Sequence, residues 1–169
     1  MSTMGAVEEG FESWYRLEHP RLVAGLTVAS GSVEVAQDVV SEAFARALER
    51  WDRVAAMESP TGWVRQVAVN LLRRRFRRAA LEEQLLRRQP HHDVEPPALA
   101  IEPALWAAVL ALPPRQRAVL GLRVVLDLSQ EDTARLLGIR PATVSAALGH
   151  ARRNLERALE PATTELRHA

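Results

Sequence analysis

Three groups of residues in this chain carry side chains that could do chemistry. The first is the run Leu128-Ser-Gln-Glu-Asp-Thr-Ala-Arg-Leu-Leu-Gly-Ile-Arg-Pro-Ala-Thr-Val-Ser-Ala-Ala-Leu148. Its pattern predicts a helix, a tight turn and a second helix, the arrangement that lays a helix in the major groove of DNA. Ser129 is a natural N-cap, and Asp132 three residues on closes a capping-box-like pair. Gly138 suits a turn that needs positive φ, and Pro141 suits the first turn of a new helix. Val144, Leu148, Ala151 and Leu155 then recur on one face. Thr143, Ser145, Ala146, Gly149, His150 and Arg153 are left for the outer face. An ordinary helical hairpin with a solvated outer face would show the same pattern.

The second group is basic. Arg65, Arg73, Arg74, Arg75, Arg77 and Arg78 fall within one stretch that has no acidic side chain. Guanidinium forks pair well with phosphate oxygens, so this run suits nucleic-acid backbone; it would also suit a solubilising helix C-terminus. The third group, His91-His92-Asp93, is weak. Adjacent histidines do not converge as an i, i+4 helical metal pair does. We expect no metal, no cofactor and no catalytic group.

These groups must be positioned by helices. Among 169 residues, 47% are hydrophobic, ample for a core, and the formal net charge is only +1. A wholesale basic coat is excluded, so any nucleic-acid site must come from local clustering. There is no cysteine, hence no disulfide and no thiolate zinc site. The sequence has neither a membrane-length apolar run nor the charged and apolar segments of a signal peptide, which makes a cytoplasmic protein without membrane insertion the expectation. All 22 basic residues are arginine, which fits a GC-rich genome better than selection for guanidinium.

Pro90, Pro96, Pro97 and Pro103 cluster around a stretch with neither helical nor strand periodicity, and mark a linker. The linker's acidic residues reverse the sign of the arginine run before it. The predicted fold class is all-α: a helical domain over about 8–80, a linker over 81–102 and a second helical domain over about 103–160. In the first domain a helix carrying Phe11, Trp14 and Leu17 is expected to kink or restart at His19-Pro20 and to end at Gly31, with Ser32 capping the next. Ala36, Val40, Ala43, Ala47 and Trp51 form the stripe of a helix over about 33–51. Ser59-Pro60 opens a third helix that ends in the arginines. In the second domain a helix over about 103–112 breaks at Pro113-Pro114, and another covers about 115–125. The motif follows, and the tail after Glu160 is expected to fray.

Four segments, in order, resemble the extracytoplasmic-function type of RNA polymerase sigma factor, of the sigma-70 family. Ala36-Gln37-Asp38-Val39-Val40-Ser41-Glu42-Ala43-Phe44 is similar to the family's Ala-Glu-Asp-x-x-Gln-Glu-x-Phe. Trp63-Val64-Arg65-Gln66-Val67-Ala68-Val69-Asn70 is similar to Trp-Leu-x-x-Ile-Ala-x-Asn, and Leu112-Pro113 with Arg117 to Leu-Pro-x-x-x-Arg. Thr143-Val144 and Ala151-Arg152 resemble parts of the recognition helix.

The resemblance implies a sigma region 2-like domain and a region 4-like helix-turn-helix domain joined by the Pro-rich linker. It implies core RNA polymerase and promoter DNA as partners and makes an anti-sigma factor plausible. Asp38, Glu42 and Arg46 would face the polymerase. Asn70, Arg73, Arg74, Arg77 and Arg78 would hold the −10 region, and the loop over 52–59 would take a flipped base. Trp63 is read as core rather than a stacking platform. Arg140, Thr143, Ser145, Ala146, Gly149, Arg152 and Arg153 would meet the −35 element.

The chain departs from the pattern where Ser145 and Ala147 replace the usual basic residues and Arg140 replaces a common capping Ser. A weaker or differently specific −35 contact is expected, with a flatter salt dependence. No hydrolysis is required, so no enzyme is expected. Two other readings fit parts of the sequence: a stand-alone helix-turn-helix regulator, which would dimerise and ignore polymerase, and a helical protein-binding adaptor.

Overall fold

The computed structural model describes residues 3–86 and 101–166. Every regular element among them is helical. The expected linker falls mostly outside the described residues, as do His91, His92 and Asp93 and the chain beyond 166.

Residues divide into two compact units, one of 1–23 with 34–93 and one of 24–33 with 94–169. The α1 helix (Thr3–Ser30), whose residues from 24 onward count with the second unit, runs through Pro20 instead of restarting there. Proline removes one backbone donor, but Glu18 before it and Leu22 and Leu26 after it are all buried. Tertiary packing therefore outweighs the local breaker. Gly31 closes α1 at φ +78°, a conformation open to glycine and strained for other residues.

The α2 helix (Val33–Leu48) buries Ala36, Val39, Val40, Ala43, Phe44 and Ala47. It stops earlier than its apolar stripe suggests: Glu49 and Arg50 form a turn, and Trp51 opens the short α3 (Trp51–Ala55). Trp51 then stacks with Trp14, at a centroid separation of 5.0 Å, while Trp14 Nε1 donates to Thr61 Oγ1 at 3.0 Å. The α4 helix (Pro60–Leu86) begins with Gly62 N–H donating to Ser59 Oγ at 3.0 Å and continues past the arginines to Leu86. It buries Val64, Ala68, Val69 and Leu72. Glu18, 8% exposed, lies 3.5 Å from the Arg65 guanidinium and 3.8 Å from that of Arg21.

The second unit is assembled around α8. The α5 helix (Pro103–Leu110) supplies Trp106 and Val109, which form a cluster with Val28 from residues 24–33. Pro113-Pro114 separates α5 from α6 (Pro114–Leu120). Arg117 Nη1 donates to the carbonyls of Leu110 and Leu112, each at 2.9 Å, so it satisfies the open end of α5. Burial lowers the pKa of this guanidinium from its ordinary value. The expected helix over 115–125 is in fact α6 followed by a π-helical turn, Gly121–Val125. Gly121 packs directly on the backbone of residues 25–29: an added Cβ would collide with the Gly25 carbonyl oxygen and lie 2.9 Å from Ala29 N. Gly25 in turn seats Leu126.

The motif follows. Ser129 caps α7 (Gln130–Leu137), its Oγ accepting from Asp132 N–H at 3.0 Å and donating to Asp132 Oδ2 at 2.7 Å. Gly138 ends α7 in the left-handed region at φ 65°. Pro141 is the first residue of α8 (Pro141–Leu166). Val144, Ala147 and Ala151 are buried on α8, and Val144 and Ala147 cluster with Val119 and Ala134.

Close approach at Gly121 yields a direct test. Gly121→Ala should lower the unfolding free energy by about 2 kcal/mol, as overpacking of a tight core does. Gly10→Ala, in a helical position with nothing within 4 Å of the added Cβ, should stabilise slightly. Urea unfolding of both variants checks the contrast.

Candidate nucleic-acid interface

A helix offers its core one stripe and leaves the rest to solvent. With Val39, Val40, Ala43 and Ala47 buried, Asp38, Glu42 and Arg46 fall at i, i+4 and i+8 on the exposed side of α2. The Glu42 carboxylate pairs with Arg46 along the helix. All three residues assigned to polymerase thus share one face.

The arginine run is divided by the same geometry. Arg73 to Arg78 are all on the exposed surface of α4, with Phe76 41% exposed. Asn70, Arg73 and Arg77 recur at i, i+3 and i+7. Gln66 Nε2 donates to Asn70 Oδ1 at 3.2 Å and belongs to the same face. Arg74, Arg75 and Arg78 turn another way. Together with Leu71 they line a groove of about 820 Å³ against Val39, Glu42 and Arg46 of α2. Arg75 Nη2 lies 2.9 Å from Asp38 Oδ2.

Two acidic partners that the linear run does not contain therefore come from other helices: Glu18 reaches Arg65, and Asp38 reaches Arg75. Arg65 is tied into the fold. Arg74 and Arg78, placed by sequence with the −10 contacts, border the face assigned to polymerase. Trp63 is half-buried and Val64 beside it fully buried, so the helix begins its core stripe there.

In the second unit, Ser145, Ala146, Arg152 and Arg153 are exposed on α8, Gly149 is half-exposed among them, and Thr143 is half-buried at the edge. Arg140 is exposed just before α8, where its carbonyl accepts from Thr143 N–H at 2.9 Å. Ser145 Oγ donates to Gln130 Oε1 at 2.7 Å across the two helices of the motif. Arg153 Nη2 lies 3.0 Å from His150 Nδ1. Ala147, at the position where the family carries a basic residue, is 7% exposed and belongs to the core cluster. Gln130, half-buried at the first position of α7, is the residue that sequence patterning does not bring to this face, because it lies 15 positions from Ser145.

These features define a helical DNA-binding protein with a helix-turn-helix in one unit and a divided arginine face in the other. A model of sigma-70 region 2 matches residues 7–82, and one of sigma-70 region 4 matches residues 103–155. The chain is 33% identical over 127 residues to the RNA polymerase sigma-E factor of Streptomyces antibioticus, covering 74% of this chain and 71% of that one. It is 29% identical over 154 residues to the ECF RNA polymerase sigma factor SigM of Mycobacterium tuberculosis, covering 88% and 76%. The fold is similar to that of the sigma factor RpoE solved with the anti-sigma factor NepR from Bartonella quintana. The TM-score is 0.74 at 20% identity, over 90% of this chain and 98% of that one.

The chain belongs to the sigma-70 family of RNA polymerase sigma factors, in its extracytoplasmic-function group. It acts with core RNA polymerase in promoter recognition and transcription initiation, and the family is not one of enzymes.

The two arginine–carboxylate contacts should separate on mutation. Arg65→Ala leaves the buried Glu18 carboxylate with only the more distant Arg21 guanidinium and should cost about 2 kcal/mol of stability. Arg75→Ala breaks an exposed pair and should cost less than about 1 kcal/mol. Chemical denaturation of the two variants in the same buffer measures the difference.

Proposed function

We propose that the chain divides promoter recognition among three exposed helix faces. Asp38, Glu42 and Arg46 on α2 dock on core RNA polymerase. Asn70, Arg73 and Arg77 hold the backbone of the −10 region, with Arg74 and Arg78 at the border between that DNA and the polymerase. Arg140, Arg152 and Arg153 position α8 on −35 phosphates, while Thr143, Ser145, Ala146 and Gly149 approach base edges. The functional domains are 8–80 and 103–160, joined by the linker 81–102. The observation that carries this reading is the sorting of the polar side chains: an exposed Asp38–Glu42–Arg46 row on α2 and a separate Asn70–Arg73–Arg77 face on α4 of the same domain.

Neither domain must bind tightly alone. Tethering both to polymerase raises the effective concentration of each at its element. The stripped recognition helix fits such a division: it contributes selectivity, while much of the affinity comes from polymerase. No step requires a catalytic group, so the protein is not an enzyme, and its place of action is the cytoplasm. No described helix is long and apolar enough to cross a membrane. An anti-sigma factor is a further partner, on the precedent of the Bartonella quintana complex. An inhibitor that covered the α2 face would silence the protein without touching DNA.

Purified protein should bind core RNA polymerase, and the Asp38→Arg, Glu42→Arg double variant should bind at least about tenfold more weakly, because like charge replaces complementary charge. Both substituted positions are exposed, so the helical circular dichroism should be unchanged. Equal binding by wild type and variant would remove α2 from the polymerase interface.

A further inference from the structure

Ser145, at a position where the family pattern carries a basic residue, makes a contact with Gln130 that joins the two helices of the motif. Its chemistry is restrictive. A serine hydroxyl has one proton, and here that proton is donated to Gln130 Oε1 at 2.7 Å. Ser145 then offers only lone pairs outward. Gln130, with its carbonyl oxygen engaged, offers its amide N–H donors. Turning the amide over exchanges the roles without changing the outcome: the serine would donate and the glutamine would accept. Either way the pair presents one donor beside one acceptor.

On the edge of a single base that combination matches adenine. Adenine presents N7 as acceptor next to the N6 amino donor. Guanine presents two acceptors, cytosine a donor, and thymine an acceptor beside a methyl group. A single Asn or Gln side chain reads adenine by supplying both groups from one amide.

We infer that Gln130 and Ser145 form a composite adenine reader, built from both helices of the motif. Gln130 thereby becomes a specificity-determining residue on α7, outside the recognition helix. The inference rests on the α7–α8 pair being the −35-reading element.

Its surroundings suit the task. Ser145 is the fifth residue of α8, in the N-terminal part of the helix, where recognition helices touch base edges. Gln130 follows the Ser129 cap, whose bonds to Asp132 fix the start of α7. Ala146 and Gly149 flank Ser145 with small side chains, and a Cβ built at Gly149 would meet only Arg153 Nη1, at 3.6 Å.

Polymerase reconstituted with the full chain would be used to select promoters from a library randomised across the −35 element. Wild type should prefer adenine at one position. Ser145→Ala and Gln130→Ala should each relax that same position by roughly tenfold and leave the others unchanged, the worth of one bidentate contact. The double variant should relax it no further than either single change, because the two act as one unit. Ser145→Thr, which keeps the hydroxyl, should retain the preference. In wild type, 7-deazaadenine at the position should reproduce the loss.

Relaxation at two different positions, a uniform loss across all sequences as a phosphate contact would give, or no change would each overturn the pair. Failure of the wild-type holoenzyme to select any −35 sequence would instead overturn the −35 reading on which the pair rests.

Discussion

A helix can bury only one face, and the choice of that face fixes where every charge on it must go. In α2 the small residues Ala36, Ala43 and Ala47 are fully buried together with Val40. Their burial puts Asp38, Glu42 and Arg46 on the outside in a single row. In α4 burial of Val64, Ala68 and Leu72 splits the arginines into two exposed rows rather than one. On α8 the same constraint takes Ala147 inward and leaves Ser145 and Ala146 outward. Hydrophobic burial, worth roughly 25 cal/mol per Å² of apolar surface, is thus what orients the polar side chains. The ion pairs on these surfaces are mostly exposed and contribute little to stability.

The helix-turn-helix depends on a second set of local bonds. Ser129 and Asp132 satisfy the open N-terminus of α7, and Gly138 turns the chain in a left-handed conformation. Arg123 donates to the Leu128 carbonyl just ahead of the motif. Asn154 Nδ2 donates to Gln116 Oε1 at 2.9 Å, joining the far part of α8 to α6. The first residue of α7 and the fifth of α8 are thereby held within hydrogen-bond reach. That is the precision a donor–acceptor pattern on a base requires.

Much of this was legible in the sequence because it is local. The Ser129 cap, the Gly138 turn, the Pro141 start and the apolar spacing of α2 and α8 each follow from residue type and position over a few turns. What the sequence hid is non-local. Pro20 reads as a breaker, yet α1 continues because residues on both sides of it are buried. Gly121 reads as an ordinary helix interior, and nothing nearby in sequence announces the backbone it packs against. The arginine run contains no acid, but Glu18 and Asp38 arrive from other helices to pair with Arg65 and Arg75. Gln130 and Ser145 are 15 positions apart, beyond any helical period. The family resemblance carried the functional assignment; the residue-level division of the arginines and the Gln130–Ser145 pair required three dimensions.

This chain is a subunit that gives polymerase its promoters. The most direct test is start-site mapping with purified core RNA polymerase on fragmented genomic DNA, with and without the protein. Start sites should appear that depend on the protein and share a −35 and a −10 element at a fixed spacing. The same start sites in both reactions, or new ones without a shared pair of elements, would contradict that role.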